Sequence, residues 1–252
     1  MTDWVEGKVI EQKQWTEHHY SLRFEAPIEP FEAGQFVRVA LDIDGQRIAR
    51  PYSCVNPPQD PVLEIYYDII PEGPLSNRLP ALEPDDTLFV ASRAQGFFTL
   101  GEVPDGSQLW MLSTGTALGV FLSILRTEEP WRRFDRLVLV HAVRRVQDLV
   151  YRDIIDRIAE RHADRFQYIP FVSREQTDFA LSGHIPDAIR EGQLEQRAGL
   201  EFTPDAQFML CGNPGMLKDT TAVLGERGFR KNRRRDPGHI TTERYWSEGS
   251  TP

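Results

Sequence analysis

The chemistry-bearing stretch of this chain is Arg50-Pro51-Tyr52-Ser53. It sets a fixed cation, a flat aromatic with a polar tip and a small hydroxyl within four residues. An arginine pairs with phosphate, an aromatic face covers a flat ring, and a hydroxyl bonds a ring nitrogen or oxygen. A flavin nucleotide asks for those three groups. In a regular strand Arg50 and Tyr52 share one side and Ser53 points to the other. A ligand touching all three must lie along a bent or edge strand, and Pro51 fits an edge better than a sheet centre. The same residues also suit a surface arginine beside a buried tyrosine, so the stretch needs company to carry weight.

Company comes in order along the chain. Gly73-Pro74-Leu75-Ser76 precedes Asn77-Arg78-Leu79, which reads as a short helix with Ser76 as its N-cap. Backbone N–H groups at such a start hold anions, and Gly73 lets the chain come close. Thr114-Gly115-Thr116-Ala117-Leu118-Gly119 is a glycine-bearing turn after an apolar run, suited to a dinucleotide backbone although it is not GxGxxG. Cys211-Gly212-Asn213-Pro214 joins another apolar run to a helix. There Gly212 would admit a flat ring and Cys211 offers a small, weakly polar side chain, or simply closes a core strand. Glu243-Arg244-Tyr245-Trp246 lies near the end, followed by Ser247 to Pro252, which read as a short mobile tail.

The elements that position these motifs fall into two kinds. Up to about residue 100 the pattern is period-two alternation: Trp4 to Gln12, Tyr20 to Ala26, Gln35 to Leu41, Arg47 to Val55, Leu63 to Ile69 and Thr87 to Ala91. Asp44-Gly45 signals a hairpin and Pro84-Asp85-Asp86 a turn. Six short strands and one short helix predict a small antiparallel barrel. Gly96-Phe97-Phe98 and Pro104 to Ser107 mark a seam. Beyond it strands Leu109 to Leu112, Leu137 to Ala142, Phe166 to Val172 and Gln207 to Leu210 alternate with helices Val120 to Arg126, Leu149 to His162, one starting at Ile185 to Arg190, and Pro214 to Arg227. That alternation predicts a right-handed, doubly wound parallel sheet, which binds ligands at the carboxyl ends of its strands. The expected domains are 1–102 and 103–252.

Bulk properties exclude several classes. The chain has 252 residues, 40% hydrophobic, with a net charge of −9 that disfavours nucleic acid. Its two cysteines, Cys54 and Cys211, have no metal spacing, so no zinc or iron–sulfur site is expected. No apolar run approaches the roughly 20 residues of a membrane span, and Met1-Thr2-Asp3-Trp4 does not open a signal peptide. A cytoplasmic protein is expected.

The order and spacing of the five motifs resemble the ferredoxin–NADP reductase family, over nearly the whole chain from Trp4 to Trp246. The Tyr245-Trp246 ending looks like that of the bacterial ferredoxin/flavodoxin–NADP reductases. The resemblance implies an antiparallel Greek-key barrel that binds FAD, then a doubly wound NADP-binding domain. It implies hydride exchange between NADPH and flavin, then single-electron exchange with a ferredoxin or flavodoxin, by a monomer. FAD contacts would come from Arg50, Pro51, Tyr52, Ser53, Tyr67, Asp68, Ile69, Pro74, Leu75 and Ser76, with Tyr52 and Tyr245 on opposite ring faces and Trp246 at the adenine. NADP contacts would come from Thr116, Val143, Arg144, Ser173, Arg174, His184, Asn213, Pro214, Gly215 and Asp219. Ser53, Cys211 and Tyr245 would shape the point of hydride transfer. Two departures stand out. His184 replaces an arginine of the relatives, and imidazole is charged only part of the time near neutral pH, so the NADP preference should be weaker. The chain also continues past Trp246.

Arg230-Lys231-Asn232-Arg233-Arg234-Arg235 is the densest basic run in an acidic chain. It reads as a solvated face or as a dock for an acidic redox protein. Rival functions are an NAD(P)H flavin reductase, an oxygenase reductase component, and a flavin- or nucleotide-binding sensor without turnover.

Overall fold

The computed structural model describes residues 2–244. Six strands come first: β1 (Trp4–Gln14), β2 (His19–Glu25), β3 (Phe36–Ile43), β4 (Gln46–Ser53), β5 (Leu63–Asp68) and β6 (Thr87–Ala91). They form one antiparallel sheet in the order β4-β3-β6-β1-β2-β5. The late β6 lies between β3 and β1, the Greek-key arrangement. Alternate residues feed one core: Leu22, Phe24, Val37, Val39, Leu88 and Val90 pack together. The sheet curls until its edge strands meet. Cys54 bridges Ile65, and the Val55 N–H donates to the Glu64 carbonyl at 2.8 Å. The expected barrel is therefore present. β4 is an edge strand and so tolerates Pro51.

The short helix expected after Ser76 does not form. Residues 79–81 make a 3-10 turn instead, and its first position is not capped by a side chain. The Ser76 hydroxyl accepts the Ile70 N–H at 3.1 Å, and Asn77 Nδ2 donates to the carbonyls of Ile70 and Gly73 at 2.7 and 2.8 Å. The loop closes on itself, which removes the helix start proposed as an anion site.

The second half contains β7 (Gln108–Thr114), α1 (Leu118–Leu125), α2 (Glu129–Arg133), β8 (Arg136–Val143), α3 (Arg152–Arg161), β9 (Phe166–Val172), β10 (Leu181–Ser182), α4 (Ile185–Arg190), α5 (Gln193–Ala198), β11 (Gln207–Gly212), α6 (Pro214–Glu226) and β12 (Ile240–Arg244). The six strands are parallel, in the order β10-β9-β8-β7-β11-β12. The order reverses between β7 and β11, which makes their carboxyl ends the switch point. β7 shows why a continuous apolar run suits this sheet. Its Leu109 and Met111 enter one core and its Trp110 and Leu112 the other.

Two expectations need correction. The helix read from Leu149 begins only at Arg152, because Tyr151 takes a left-handed φ of 57°. The strand β12 was not expected at all. Its Thr241, Thr242 and Glu243 give no apolar run, yet it pairs with β11 along five residues.

Candidate functional site

Two edges carry most of the candidate residues. At the edge expected to take the nucleotide, Val143 and Val172 are register partners at the ends of β8 and β9. The Ser173 N–H donates to the Val143 carbonyl at 3.0 Å and the Arg174 N–H to the Arg144 carbonyl at 2.9 Å. Backbone pairing thus sets Arg144 beside Arg174. Ser182 of β10 pairs with Val172, and His184 follows two residues later. Arg144, Ser173, Arg174 and His184 are all exposed, while Val143 is buried. Arg144 and Arg174 carry no ion pair among the described residues. His184 opens α4 without a side-chain cap, so helix capping does not account for it.

At the switch point, Thr116 is buried in the 3-10 turn Gly115–Ala117. His141, fully buried on β8, lies with Nε2 3.1 Å from the Gly115 carbonyl. Burial pushes its pKa down to about 4, so the ring is neutral. A carbonyl only accepts, so Nε2 carries the proton and pins the turn. Sequence reasoning missed His141; its signal was a polar residue inside a continuous apolar strand.

Gly212 has a φ of +136°, and a Cβ there would come 2.1 Å from Thr114 Oγ1. Close approach to Thr114 therefore demands glycine here. The Asn213 N–H donates to that same hydroxyl at 2.8 Å. Asn213 Oδ1 accepts the N–H groups of Gly215 and Met216, and Pro214 sits in the first turn, so this segment caps α6. Gly215 and Asp219 are exposed along the start of that helix.

Cys211 is fully buried and stands in register between Ser113 and Glu243. Burial, then the charge of Glu243, raises its pKa, so it persists as a thiol. Burial also lifts the Glu243 carboxyl to about 7. A Cβ on Gly96 would lie 3.1 Å from the Phe36 ring and 3.5 Å from Glu243 Oε1. Phe36 is in turn the register partner of Ser53. Through Phe36, Gly96 and Glu243 the structure draws Ser53 and Cys211 towards one locus. Glu243 was missed because β12 was missed.

The flavin edge of the barrel differs from expectation. Arg50 is exposed, donates Nη1 to the Ala49 carbonyl at 2.8 Å, and has no acidic partner among the described residues. Tyr52 is only 8% exposed and meets Tyr67 edge-on with centroids 6.0 Å apart. Its open aromatic face is not present; the residues pair as an exposed arginine beside a buried tyrosine. Ser53, Leu75 and Ser76 are buried too. Tyr67 is 1% exposed, and its hydroxyl accepts from Gln12 Nε2 at 2.7 Å. Asp68, Ile69, Pro51 and Pro74 are at least partly exposed.

Of the basic run, Arg230 pairs with Asp236, and Arg234 makes paired bonds to Glu102 while lying 4.4 Å over the exposed Phe97 ring. Lys231, Arg233 and Arg235 are exposed without ion pairs among the described residues. Tyr245, Trp246 and Ser247–Pro252 lie outside the described residues.

A family profile described as an oxidoreductase NAD-binding domain matches residues 111–222. The flavodoxin/ferredoxin–NADP reductase of Escherichia coli (strain K12) is 47% identical over 248 residues, covering 98% of this chain and 100% of that one. The chain belongs to the ferredoxin–NADP reductase family. A second family member, the ferredoxin–NADP reductase of Pseudomonas aeruginosa, is 33% identical over 98% of this chain and 100% of its own. The family fold is matched as closely. A crystal structure of a ferredoxin NADP+ reductase from Neisseria gonorrhoeae, with bound FAD and NADP, gives a TM-score of 0.92 at 32% identity, covering 98% of this chain and 100% of that one. Family membership thus spans both sheets and both edges described here.

Proposed function

We infer that the protein is an FAD-dependent oxidoreductase that passes electrons between NADPH and a one-electron protein carrier, a ferredoxin or flavodoxin. The observation that carries this reading is the nucleotide edge. Two exposed arginines without ion pairs stand on adjacent strand ends in a chain of net charge −9. That donor set fits a ribose 2′-phosphate, which NADP has and NAD lacks.

Residues 1–102 serve as the flavin domain and 103–252 as the nucleotide domain. Arg50 pairs with the flavin pyrophosphate, and its lack of an acidic partner among the described residues fits that task. Arg144, Ser173, Arg174 and His184 take the adenosine end of NADP. Thr116 and the Asn213–Gly215 turn offer backbone groups at the switch point, with Asp219 beside them on α6. Ser53 and the Cys211 thiol border the place where nicotinamide meets flavin, and Tyr245 completes it. When bound, the flavin accepts a hydride from the nicotinamide and releases its electrons singly. The chain's own residues orient the two rings and exclude water; no general base is required. The protein acts as a cytoplasmic monomer, and among the described residues no helix is long and apolar enough to cross a membrane.

Stopped-flow mixing with NADPH and with NADH tests the reading. Fast bleaching of the flavin band by NADPH and slow bleaching by NADH is expected. A protein that binds no flavin would overturn it. Lys231, Arg233 and Arg235 remain available to steer an acidic carrier. Turnover with the carrier should therefore fall steeply with salt, while turnover with a small neutral dye should not.

A further inference from the structure

The two sheets grip one another where β4 runs into β5. The Tyr151 hydroxyl donates to Glu64 Oε1 at 2.6 Å. Ser123 Oγ on α1 donates to the Asn56 carbonyl at 2.7 Å, and Arg126 Nη1 to the Val55 carbonyl at 3.4 Å. Asn56 Oδ1 in turn accepts the Glu64 N–H at 2.9 Å. The acceptors at Val55 and Asn56 belong to the junction that joins the strand of Arg50–Ser53 to the strand of Tyr67 and Asp68, and Glu64 is the second residue of that latter strand. The donors come from α1, which leaves the Thr114–Thr116 turn, and from the residue that opens α3. A Cβ on Gly119 would stand 3.0 Å from Val55 Cγ2, so α1 lies hard against that junction.

Tyr151 is held there against its backbone preference. Its φ of 57° and ψ of 24° are left-handed, a conformation that a bulky residue keeps only when its surroundings impose it. Its ring is 2% exposed, with centroids 4.6 Å from Trp15 and 5.3 Å from Tyr66, both on the barrel side. Glu64 is largely enclosed as well, and burial raises its carboxyl pKa.

We propose that the Tyr151–Glu64 hydrogen bond is a positioning contact that fixes the flavin edge against the nucleotide edge, and so the distance over which the hydride passes. This rests on the reading of the protein as an NADPH–flavin oxidoreductase. The hydride carries both electrons from C4 of NADPH to N5 of the flavin, oxidising the one and reducing the other. Such transfer is steep in distance, since a 1 Å misplacement costs about a hundredfold. Neither Tyr151 nor Glu64 touches the reacting atoms; each acts through the strands it ties.

The test uses the FAD-loaded full chain. Tyr151→Phe keeps the ring and removes only the hydroxyl. Stopped-flow reduction at several NADPH concentrations separates the saturating rate from Kd. The saturating rate should fall about tenfold while Kd stays within about twofold, as expected for lost alignment rather than lost binding. The long-wavelength charge-transfer absorbance of the NADPH–flavin complex should weaken in parallel. Glu64→Gln keeps an oxygen acceptor and should stay within about threefold of the parent rate. An unchanged saturating rate in Tyr151→Phe, whatever its Tm, overturns the proposal, as does a Glu64→Gln rate as low as that of Tyr151→Phe. If Tyr151→Phe does not fold, Ser123→Ala should lower the saturating rate about threefold at unchanged Kd, and no change there overturns the proposal. A parent protein that NADPH fails to reduce overturns the functional reading as well; a reducible parent with an indifferent Tyr151→Phe overturns the positioning role alone.

Discussion

At the carboxyl ends of β8 and β9, Arg144 and Arg174 stand exposed on regular backbone. At the barrel edge Tyr52, Ser53, Tyr67 and Leu75 are buried, while Arg50, Pro51 and Pro74 reach solvent. The nucleotide edge is thus a set of side chains laid on a finished sheet. The flavin edge is part of the barrel core, with one cation added at its rim. Changes at the first should alter recognition and spare stability. Changes at the second should divide, with Arg50 acting on the ligand and the buried aromatics acting on the fold.

The largest effect should come from the double substitution of Arg144 and Arg174 by alanine. Charge-assisted hydrogen bonds contribute about 1.5–3 kcal/mol each, so the NADPH Kd should rise on the order of a thousandfold. NADH, without the 2′-phosphate, should be affected far less, and Tm should stay within about 1 °C, since exposed sites shift stability little. Titration of the flavin difference spectrum reads the first and thermal unfolding the second. A large Tm loss would erase the contrast between the edges.

Next in size is the pair Arg50→Ala and Tyr52→Ala. Loss of one guanidinium–phosphate contact should weaken FAD by about thirtyfold while leaving the apoprotein's Tm nearly unchanged. Tyr52→Ala opens a cavity beside Tyr67 and should cost the apoprotein about 3 kcal/mol. If Tyr52→Ala instead leaves the apoprotein's stability intact and abolishes FAD binding, the tyrosine belongs to the ligand and the flavin edge resembles the nucleotide edge.

That division also explains what the sequence disclosed. Alternation placed the barrel strands, and the continuous apolar runs placed β7, β8, β9 and β11, because burial on one face or two dictates those patterns. The placement of Arg144, Ser173 and Arg174 at strand ends could be read because they follow such runs directly. β12 was not, since its Thr-Thr-Glu-Arg segment owes its place to pairing with β11 rather than to burial of its own. With it went Glu243. The Ser76 loop was misread because a capping serine and a loop-closing serine look alike until Ile70 is known to lie within reach. The start of α3 was misread because nothing local foretells a left-handed Tyr151; its partners Trp15 and Glu64 are far away in sequence. The role given to Gly212 was read from its ligand side, while the constraint comes from Thr114.

A smaller effect should follow His184→Arg. The imidazole sits at the outer end of the row set by Arg144 and Arg174, and a fixed cation there should raise the preference for NADPH over NADH by up to about tenfold. The ratio of kcat/KM values for the two cofactors measures that preference. A ratio unmoved by the substitution would confine the nucleotide edge to Arg144 and Arg174 and take His184 out of it.

A pH-dependent effect on stability concerns Glu243, which stands in register with Cys211. Burial lifts its carboxyl from the usual 4.5 to about 7. Between those values the folded protein keeps a proton that the unfolded chain has released. Its contribution is therefore fully present below 4.5 and is lost as pH rises through 7, by up to about 3 kcal/mol. Glu243→Gln is neutral throughout and escapes that loss. The Tm values of parent and variant should lie close together near pH 4.5 and diverge by several degrees in favour of the variant by pH 8. Glu64 is also raised by burial, but it is present in both proteins and cancels in the difference. A difference that stays constant with pH would mean that Glu243 is charged and compensated in the folded protein. The locus beside Cys211 would then share the open, solvated character of the nucleotide edge, and the enclosed environment would end at Ser53 and Tyr52.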